Sequence, residues 1–317
     1  MALENGATME DVEKVRGAIM GHLVGDALGV PYEFKDAGDL PAEISFTGGG
    51  SHGQPPGTYS DDGAMVLCAI ASLLEKGGFD PADMARRFVA WMDRGYMAAG
   101  GVVFDYGRGT ARAISRLRSG VDPLCAGLSG EFDNGNGSLM RIAPVSLWTC
   151  AWPLEHQVRA SHDCSRITHA HPRSMVSCAL YSVLVRRIAS GDPPEAAWDA
   201  AAGELRRLYS LSGRWETGCA SELELIVSFR GASGTGYVVD TLRSALACLF
   251  GGDDYPSVAR AAVRLGGDTD TTAGVAGALA GLIYGDSSIP LEWKRGLRLD
   301  DDARAMLEEF ACSCRLA

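Results

Sequence analysis

The sequence predicts an all-α protein: a compact, single-domain multi-helix bundle over residues 1–317. Three observations carry this expectation. Apolar residues recur at three- and four-residue spacing along most of the chain. Alternating β-branched runs are almost absent, and the best strand-like stretch is the short segment Glu43 to Phe46. Two segments carry glycine at about every fourth position: Gly17, Gly21, Gly25 and Gly29 early, and Gly274, Gly277, Gly281 and Gly285 late. Glycine costs roughly 0.8–1 kcal/mol per helix-interior site relative to alanine. A stripe of it needs a reason, and close backbone packing is the usual one. The two striped helices are therefore expected at the centre of the bundle, and in contact.

In chain order, helices are expected at 11–30, 61–76, 81–94, 104–118, 154–168, 173–190, 194–209, 238–250, 256–264, 269–284 and 301–312. The first is the glycine-striped segment. The second opens at Ser60, a natural N-cap, and runs on Val66, Ile70, Leu73 and Leu74. The segment from 104 holds Ala111, Ile114 and Leu117 on one side. The cleanest stripe is at 238–250, with Val239, Leu242, Leu246, Leu249 and Phe250. The segment from 269 repeats the pattern with Val275, Leu279, Leu282 and Ile283, behind Asp268 as its cap. Glycines punctuate the loops, at Gly48-Gly49-Gly50, Gly135 and Gly137, Gly251-Gly252 and Gly266-Gly267. No repeat or low-complexity linker divides the chain.

Composition narrows the class. The chain is 46% hydrophobic and can bury a substantial core. A net charge of −11 disfavours nucleic acid or an anionic membrane as the main partner. Met1 to Lys14 is polar and acidic rather than a signal sequence, and no run of about 18 apolar residues occurs. The nine cysteines include no CxxC pair, which disfavours both zinc and a disulfide framework. A reduced, cytoplasmic, monomeric protein is expected.

Two acidic clusters carry the chemistry. One is Ser60-Asp61-Asp62. The other is Asp268-Thr269-Asp270-Thr271-Thr272, behind Gly266-Gly267. Each stands where a Gly- or Pro-rich loop enters a helix, and only Arg264 lies nearby as a cation. Mid-helix, residues i and i+2 point apart. At a cap the first residue is non-helical, so Asp268, Asp270 and Thr271 can converge. Hard oxygen ligands without counter-charge suit Mg²⁺, Mn²⁺ or Ca²⁺. Alternatively, each cluster is an N-cap whose acids answer the helix dipole.

A set of motifs in order then carries a resemblance: Gly25-Asp26-Ala27-Leu28-Gly29 with Glu33; Ser60-Asp61-Asp62; Asn134-Gly135-Asn136-Gly137-Ser138-Leu139-Met140-Arg141; Thr168-His169; and Gly266-Gly267-Asp268-Thr269-Asp270-Thr271-Thr272. Together they resemble the ADP-ribosylglycohydrolase family, which includes dinitrogenase reductase-activating glycohydrolases and ADP-ribosylarginine hydrolases. The resemblance implies a compact all-α fold, a binuclear Mg²⁺ or Mn²⁺ site, and hydrolysis of the bond between ADP-ribose and a protein side chain. The substrate would be an ADP-ribosylated protein and a product ADP-ribose.

Position by position, the resemblance implies metal ligands at Ser60, Asp61, Asp62, Asp268, Asp270 and Thr271. Glu33 matches a carboxylate at the metals, against the alternative of a surface acid after Pro31. Asp26 is read as a capping or packing residue. The stretch Asn134, Gly135, Asn136, Gly137, Ser138, Met140 resembles a cradle for phosphates and the distal ribose, where glycines let N–H groups approach an anion. His169 is read as a substrate donor or a structural residue, His171 as a loop residue, and Tyr237 as an adenine-stacking or a core tyrosine. Asp105-Tyr106-Gly107 resembles a motif of the arginine-directed members, in which the acid faces the guanidinium. The catalytic candidates are thus Glu33, Asp61, Asp62 and Asp105. Relatives usually carry Thr where Ser60 and Gly63 stand. Ser60 keeps the hydroxyl, whereas Gly63 loses one, and restoring it is expected to raise metal affinity or turnover. The leading reading is a metal-dependent ADP-ribosylarginine hydrolase. The alternatives are a metal-dependent phosphoester or pyrophosphate hydrolase and a non-catalytic ADP-ribose-binding relative.

Overall fold

The first helix, α1 (Met9–Gly29), opens on a capping box: the Thr8 hydroxyl accepts from the Asp11 amide, and the Asp11 carboxylate accepts from the Thr8 amide. The glycine stripe of α1 lies against that of α13 (Thr269–Tyr284) with the two helices antiparallel. A methyl group added at Gly21 would run into the Gly277 carbonyl, and one at Gly29 into the Asp270 backbone. The seam is therefore closed to any side chain. Tyr255 bridges it, donating its hydroxyl to the Gly21 carbonyl at 2.7 Å.

The computed structural model describes residues 7–211 and 213–316, and the molecule is all-α. Between α1 and α13 lie α2 (Asp61–Lys76), α3 (Pro81–Arg94), α4 (Arg108–Arg118), α5 (Pro123–Ala126), α6 (Ala143–Trp148), α7 (Leu154–Arg166), α8 (Pro172–Ala189), α9 (Pro194–Tyr209), α10 (Cys219–Ser228), α11 (Val238–Gly251) and α12 (Tyr255–Val263). After α13 come α14 (Leu291–Gly296) and α15 (Asp301–Ser313). All eleven expected helices are present. Among the described residues the only β pairing is isolated bridges. Glu43 to Phe46 is not a strand: Ile44 is buried, and Ser45 is held by both backbone groups to the Tyr32 hydroxyl.

Where expectation and structure differ, the cause is local. Helices α5, α6 and α14 are six residues or shorter, and α10 buries only Cys219, Leu223 and Ile226. That is too little for a 3.6 period to register. Helix α4 begins at Arg108 rather than at 104, because Asp105 takes a left-handed φ of 61° and Gly107 is extended. Helix α8 is buried nearly all round and packs against α6, α7, α9, α10 and α11. The α1–α13 pair and α8 thus form the framework on which the loops at one end are mounted. No helix among the described residues is long and apolar enough to cross a membrane.

Candidate active site and metal centre

Each acidic cluster stands at a helix N-terminus delivered by α1 or α13. At the start of α2, the Ser60 hydroxyl caps the Asp62 amide at 3.2 Å, as expected. The Ser60 and Gly63 amides both donate to the buried Asp26 carboxylate, at 2.9 and 2.8 Å. Asp26 thus caps a helix other than its own and ties α2 to α1. Burial pushes Asp26 up to about 7, against the lowering effect of those amides.

At the start of α13, Gly266 and Gly267 take φ values of 75° and 70°, which only glycine adopts freely. Their backbone pairs with the loop that follows α1: Phe34 donates to the Gly267 carbonyl at 2.7 Å, and Gly267 to the Lys35 carbonyl at 2.9 Å. This brings Glu33 to the second cluster. Asp268 occupies the N-cap position but does not cap its helix. Its carboxylate instead accepts from the Asn136 side chain at 2.7 Å.

The acids converge. Carboxylate oxygens of Glu33, Asp268 and Asp270 lie within 4.8 Å of one another. Asp61 and Asp62 line the same cavity; Glu33, Asp61, Asp62 and Asp270 are buried, and Asp268 is half-buried. Burial pushes Asp61, Asp62 and Asp270 well above the usual carboxylate range, and neighbouring acids push further: Asp62 on Asp61, Asp26 on Asp62, Glu33 on Asp270. Among the described residues none of the four Asp pairs with Lys or Arg. Arg264, the one cation near in sequence, turns away and donates to the Pro41 and Ala42 carbonyls. Arg141 is buried, donates to the Gly137 and Cys164 carbonyls, and lies over the Phe88 ring. Both Asp270 carboxylate oxygens and one of Asp62 are buried without any hydrogen-bond partner. Orphaned oxygens of this kind fit a hard cation and have no other evident role.

Above the acids the cavity has a volume of about 950 Å³. Glu33, Asp61, Asp62, Asp105, Asp268 and Thr271 line one part of it. Gly135, Asn136, Gly137, Met140 and His169 line another. The glycine loop is held in place by its backbone, with Asn136 donating to the Gly236 carbonyl at 3.1 Å and Val238 to the Asn134 carbonyl at 3.0 Å. His169 is buried and held neutral: burial, then the Arg141 charge, lowers its pKa to about 3. Its Nδ1 meets the Thr168 hydroxyl at 2.8 Å, and its Nε2 faces the space beside Gly109 and Gly135. When Thr168 donates to Nδ1, Nε2 carries the proton and can donate towards the cavity; when Thr168 accepts, Nε2 is an acceptor there.

Several candidates lie elsewhere than the sequence suggests. The Ser138 side chain is wholly buried and accepts from Ser165 at 2.9 Å, so only its backbone is available to a ligand. The Asn134 amide is engaged with the Glu131 carbonyl and the Ser174 hydroxyl. Tyr237 is half-buried, edge-on to Phe229, and is not on the cavity wall. His171 is more than a loop residue, since its Nδ1 caps α8. Gly63 is buried, and a Cβ there would press on the Tyr59 ring, the Leu23 side chain and the Asp26 carboxylate. The expectation that Thr at Gly63 improves the site is therefore reversed.

Sequence reasoning missed His52. Its Nε2 lies 2.5 Å from Glu33 and 3.4 Å from Asp105, and its ring packs by Phe34 and Phe104. The only hint is the preceding glycine triplet, which lets that loop fold back over Pro31. Burial, and then Asp105, pushes Glu33 up to about 11.

Comparison with known proteins agrees with this geometry. The family model described as ADP-ribosylglycohydrolase matches residues 7–316. The ADP-ribosyl-[dinitrogen reductase] glycohydrolase of Rhodospirillum rubrum is 31% identical, over 93% of this chain and 95% of its own. The ADP-ribosylarginine hydrolase Tri1 of Pseudomonas putida (strain GB-1) is 30% identical, over 94% of this chain and 78% of its own. The human ADP-ribosylhydrolase ARH3 is 28% identical, over 90% of this chain and 89% of its own. A solved structure titled ADP-ribosylglycohydrolase-related protein complex superposes with a TM-score of 0.76 at 33% identity, covering 96% of this chain and 98% of that one. With the motifs in order, the helical framework shared and the match running from one end to the other, the chain belongs to the ADP-ribosylglycohydrolase family.

Proposed function

We propose that this protein is a metal-dependent hydrolase that removes ADP-ribose from modified protein side chains, arginine first among them. The observation that carries the reading is the buried, uncompensated carboxylate cluster with orphaned oxygens on Asp62 and Asp270. Ser60, Asp61, Asp62, Asp268, Asp270 and Thr271 would hold two Mg²⁺ or Mn²⁺ ions. The chemistry such ions supply is charge neutralisation at the ribose hydroxyls and a water that loses its proton more readily.

The chain's own residues would do the rest. Asn136, anchored on Asp268, and the backbone of Gly135 and Gly137 hold the distal part of ADP-ribose, with His169 Nε2 as a neutral hydrogen-bond partner. With bound cation charge offsetting the burial and repulsion that keep these carboxyls protonated, Glu33, Asp61 or Asp62 would be ionised and would accept the proton of the attacking water. The glycosidic bond breaks through an oxocarbenium-like state at the anomeric carbon. Asp105 is aimed at the same space, and as a carboxylate it would pair with a planar guanidinium leaving group. Its left-handed φ of 61° is a strained conformation for a non-glycine residue, and such strain clusters at functional sites.

The test is to supply arginine-, serine- and threonine-linked ADP-ribose with Mg²⁺ or Mn²⁺ and identify the product. Free ADP-ribose with an intact diphosphate, fastest from the arginine conjugate, is the expected result. AMP or inorganic phosphate would instead mean phosphoester chemistry. Tight ADP-ribose binding without turnover would mean a reader.

A further inference from the structure

Around the mouth of the cavity the lining changes character. Arg108 and Arg112 stand one turn apart at the start of α4, both exposed and both lining the cavity. Neither takes part in an ion pair or hydrogen bond among the described residues. Arg16, Arg206 and Arg214 pair with Glu308, Glu224 and Glu155, whereas the exposed Arg94, Arg295, Arg298 and Arg315 are, like these two, without an ion pair among the described residues; what sets Arg108 and Arg112 apart is that both line the cavity. In a chain of net charge −11, carboxylates to pair with are plentiful. Arg108 also stands in a first helical turn that holds no acid, where a cation opposes the helix dipole. The helix start therefore gives no reason for the charge at Arg108.

The apolar surface points to the same place. Phe34, Tyr106 and Phe132 are 67%, 46% and 99% exposed, and all three line this cavity. Val102, 52% exposed, adjoins the lining residue Val103. Phe34 is held outward by a defined backbone, with a φ of 64° and its amide bonded to Gly267. Exposed aromatics interleaved with arginines are the composition of a protein-recognition surface.

We propose that this rim docks the carrier protein itself, at a segment flanking the modified side chain that is acidic and bears an apolar residue. The inference rests on the hydrolase reading above and adds the substrate's sequence context to it. The acidic floor takes the departing guanidinium, and the basic rim takes the acids beside it. Asp105, three residues before Arg108, links the two on one stretch of chain. Charge of opposite sign on the two sides also selects against carriers with a basic flank.

The experiment compares three substrates: ADP-ribosylarginine alone, and ADP-ribosylarginine peptides with either Asp/Glu or Lys flanks. Each is given to the parent protein, to R108E/R112E and to F132S, with Mg²⁺ or Mn²⁺. Glu at these positions suits a helix start, so the variants are expected to fold. The parent should favour the acidic peptide by at least about tenfold in kcat/KM, with a preference that shrinks as salt rises. R108E/R112E should reverse that preference, and F132S should weaken both peptides. Both variants should leave ADP-ribosylarginine turnover and ADP-ribose affinity unchanged. No flank preference in the parent, or an unaltered one in R108E/R112E, overturns the inference alone. So does a loss of ADP-ribose affinity in R108E/R112E, which would assign the two arginines to the diphosphate. If the parent fails to turn over ADP-ribosylarginine itself, the hydrolase reading falls and this inference falls with it.

Discussion

Asp62 and Asp83 differ in a way that isolates what makes the site. Both are buried aspartates in the first turn of a helix, Asp62 in α2 and Asp83 in α3. Burial raises the pKa of both. At Asp83 the Arg87 guanidinium, 2.7 Å away, more than offsets this, and the carboxyl ends below its ordinary value. At Asp62 no cation answers, and the neighbouring Asp26 and Asp268 push it further up. Position, residue type and burial are shared, and only the counter-charge is not. A buried first-turn aspartate is thus no sign of function by itself. One left without its partner, among three other aspartates in the same state, is electrostatically disfavoured as it stands and is what a cation site would require.

The largest expected effect breaks that contrast directly. Asp268→Asn or Asp270→Asn should cost more than about a hundredfold in turnover and in metal affinity, since even outer-shell changes cost 10–100-fold. The metal-free variant should melt no lower than the metal-free parent. Asp83→Asn should do the reverse, leaving turnover intact while lowering stability by about 1–3 kcal/mol. Isothermal titration with Mn²⁺ and thermal melts on all three proteins would check this, and near-normal turnover of Asp270→Asn would break the argument.

Next in size is Asp105→Ala. Arginine-linked turnover should fall by roughly a hundredfold, while ADP-ribose affinity holds, because that ligand is gripped elsewhere. Equal losses in both would make Asp105 a structural residue.

The pH dependence of stability sharpens the comparison further. Carboxyls raised in the folded state hold protons that the unfolded chain releases, so ∂ΔG/∂pH is negative between the two pKa values. For Asp26 that window runs from its ordinary value up to about 7, and Asp61, Asp62 and Asp270 extend it in the same direction. With EDTA, stability to urea should therefore fall as pH rises through this range. Saturating Mn²⁺ should flatten or invert the slope. A metal-free protein that gains stability with rising pH would contradict the reading.

The smallest effect expected is at Gly63. Gly63→Thr should lower stability by about 1–3 kcal/mol, as overpacking of a close-packed site does, and should not improve metal binding. A Thr variant with raised Mn²⁺ affinity would show that Tyr59 and Leu23 yield more easily than the packing suggests.

Much of this was legible in the sequence. Long amphipathic or glycine-striped helices announce themselves by spacing, and the α1–α13 pairing followed from the cost of glycine alone. The two clusters stood out because capping alone does not ask for several acids and hydroxyls together, twice, beside glycine and with almost no Lys or Arg nearby. What was not legible depends on tertiary placement. His52 meets Glu33 only because a glycine triplet folds its loop back, and no periodicity encodes that. Ser138 and Asn134 stand in the expected loop, but neighbouring helices take their side chains. The cap at Asp268 failed because Asn136, 132 residues away in sequence, claimed its carboxylate.

The glycine seam has one more consequence. Glu33 follows the end of α1 and Asp270 sits at the start of α13, so the axis-to-axis spacing of those helices is also the spacing of two carboxylates. The seam works as a gauge block. At its far end Gly17 faces Gly281, twelve residues of helix from Gly29, or about 18 Å. A methyl group there would be a calibration error delivered to the active centre from a distance, by two rods that touch along their length and so have nowhere to bend.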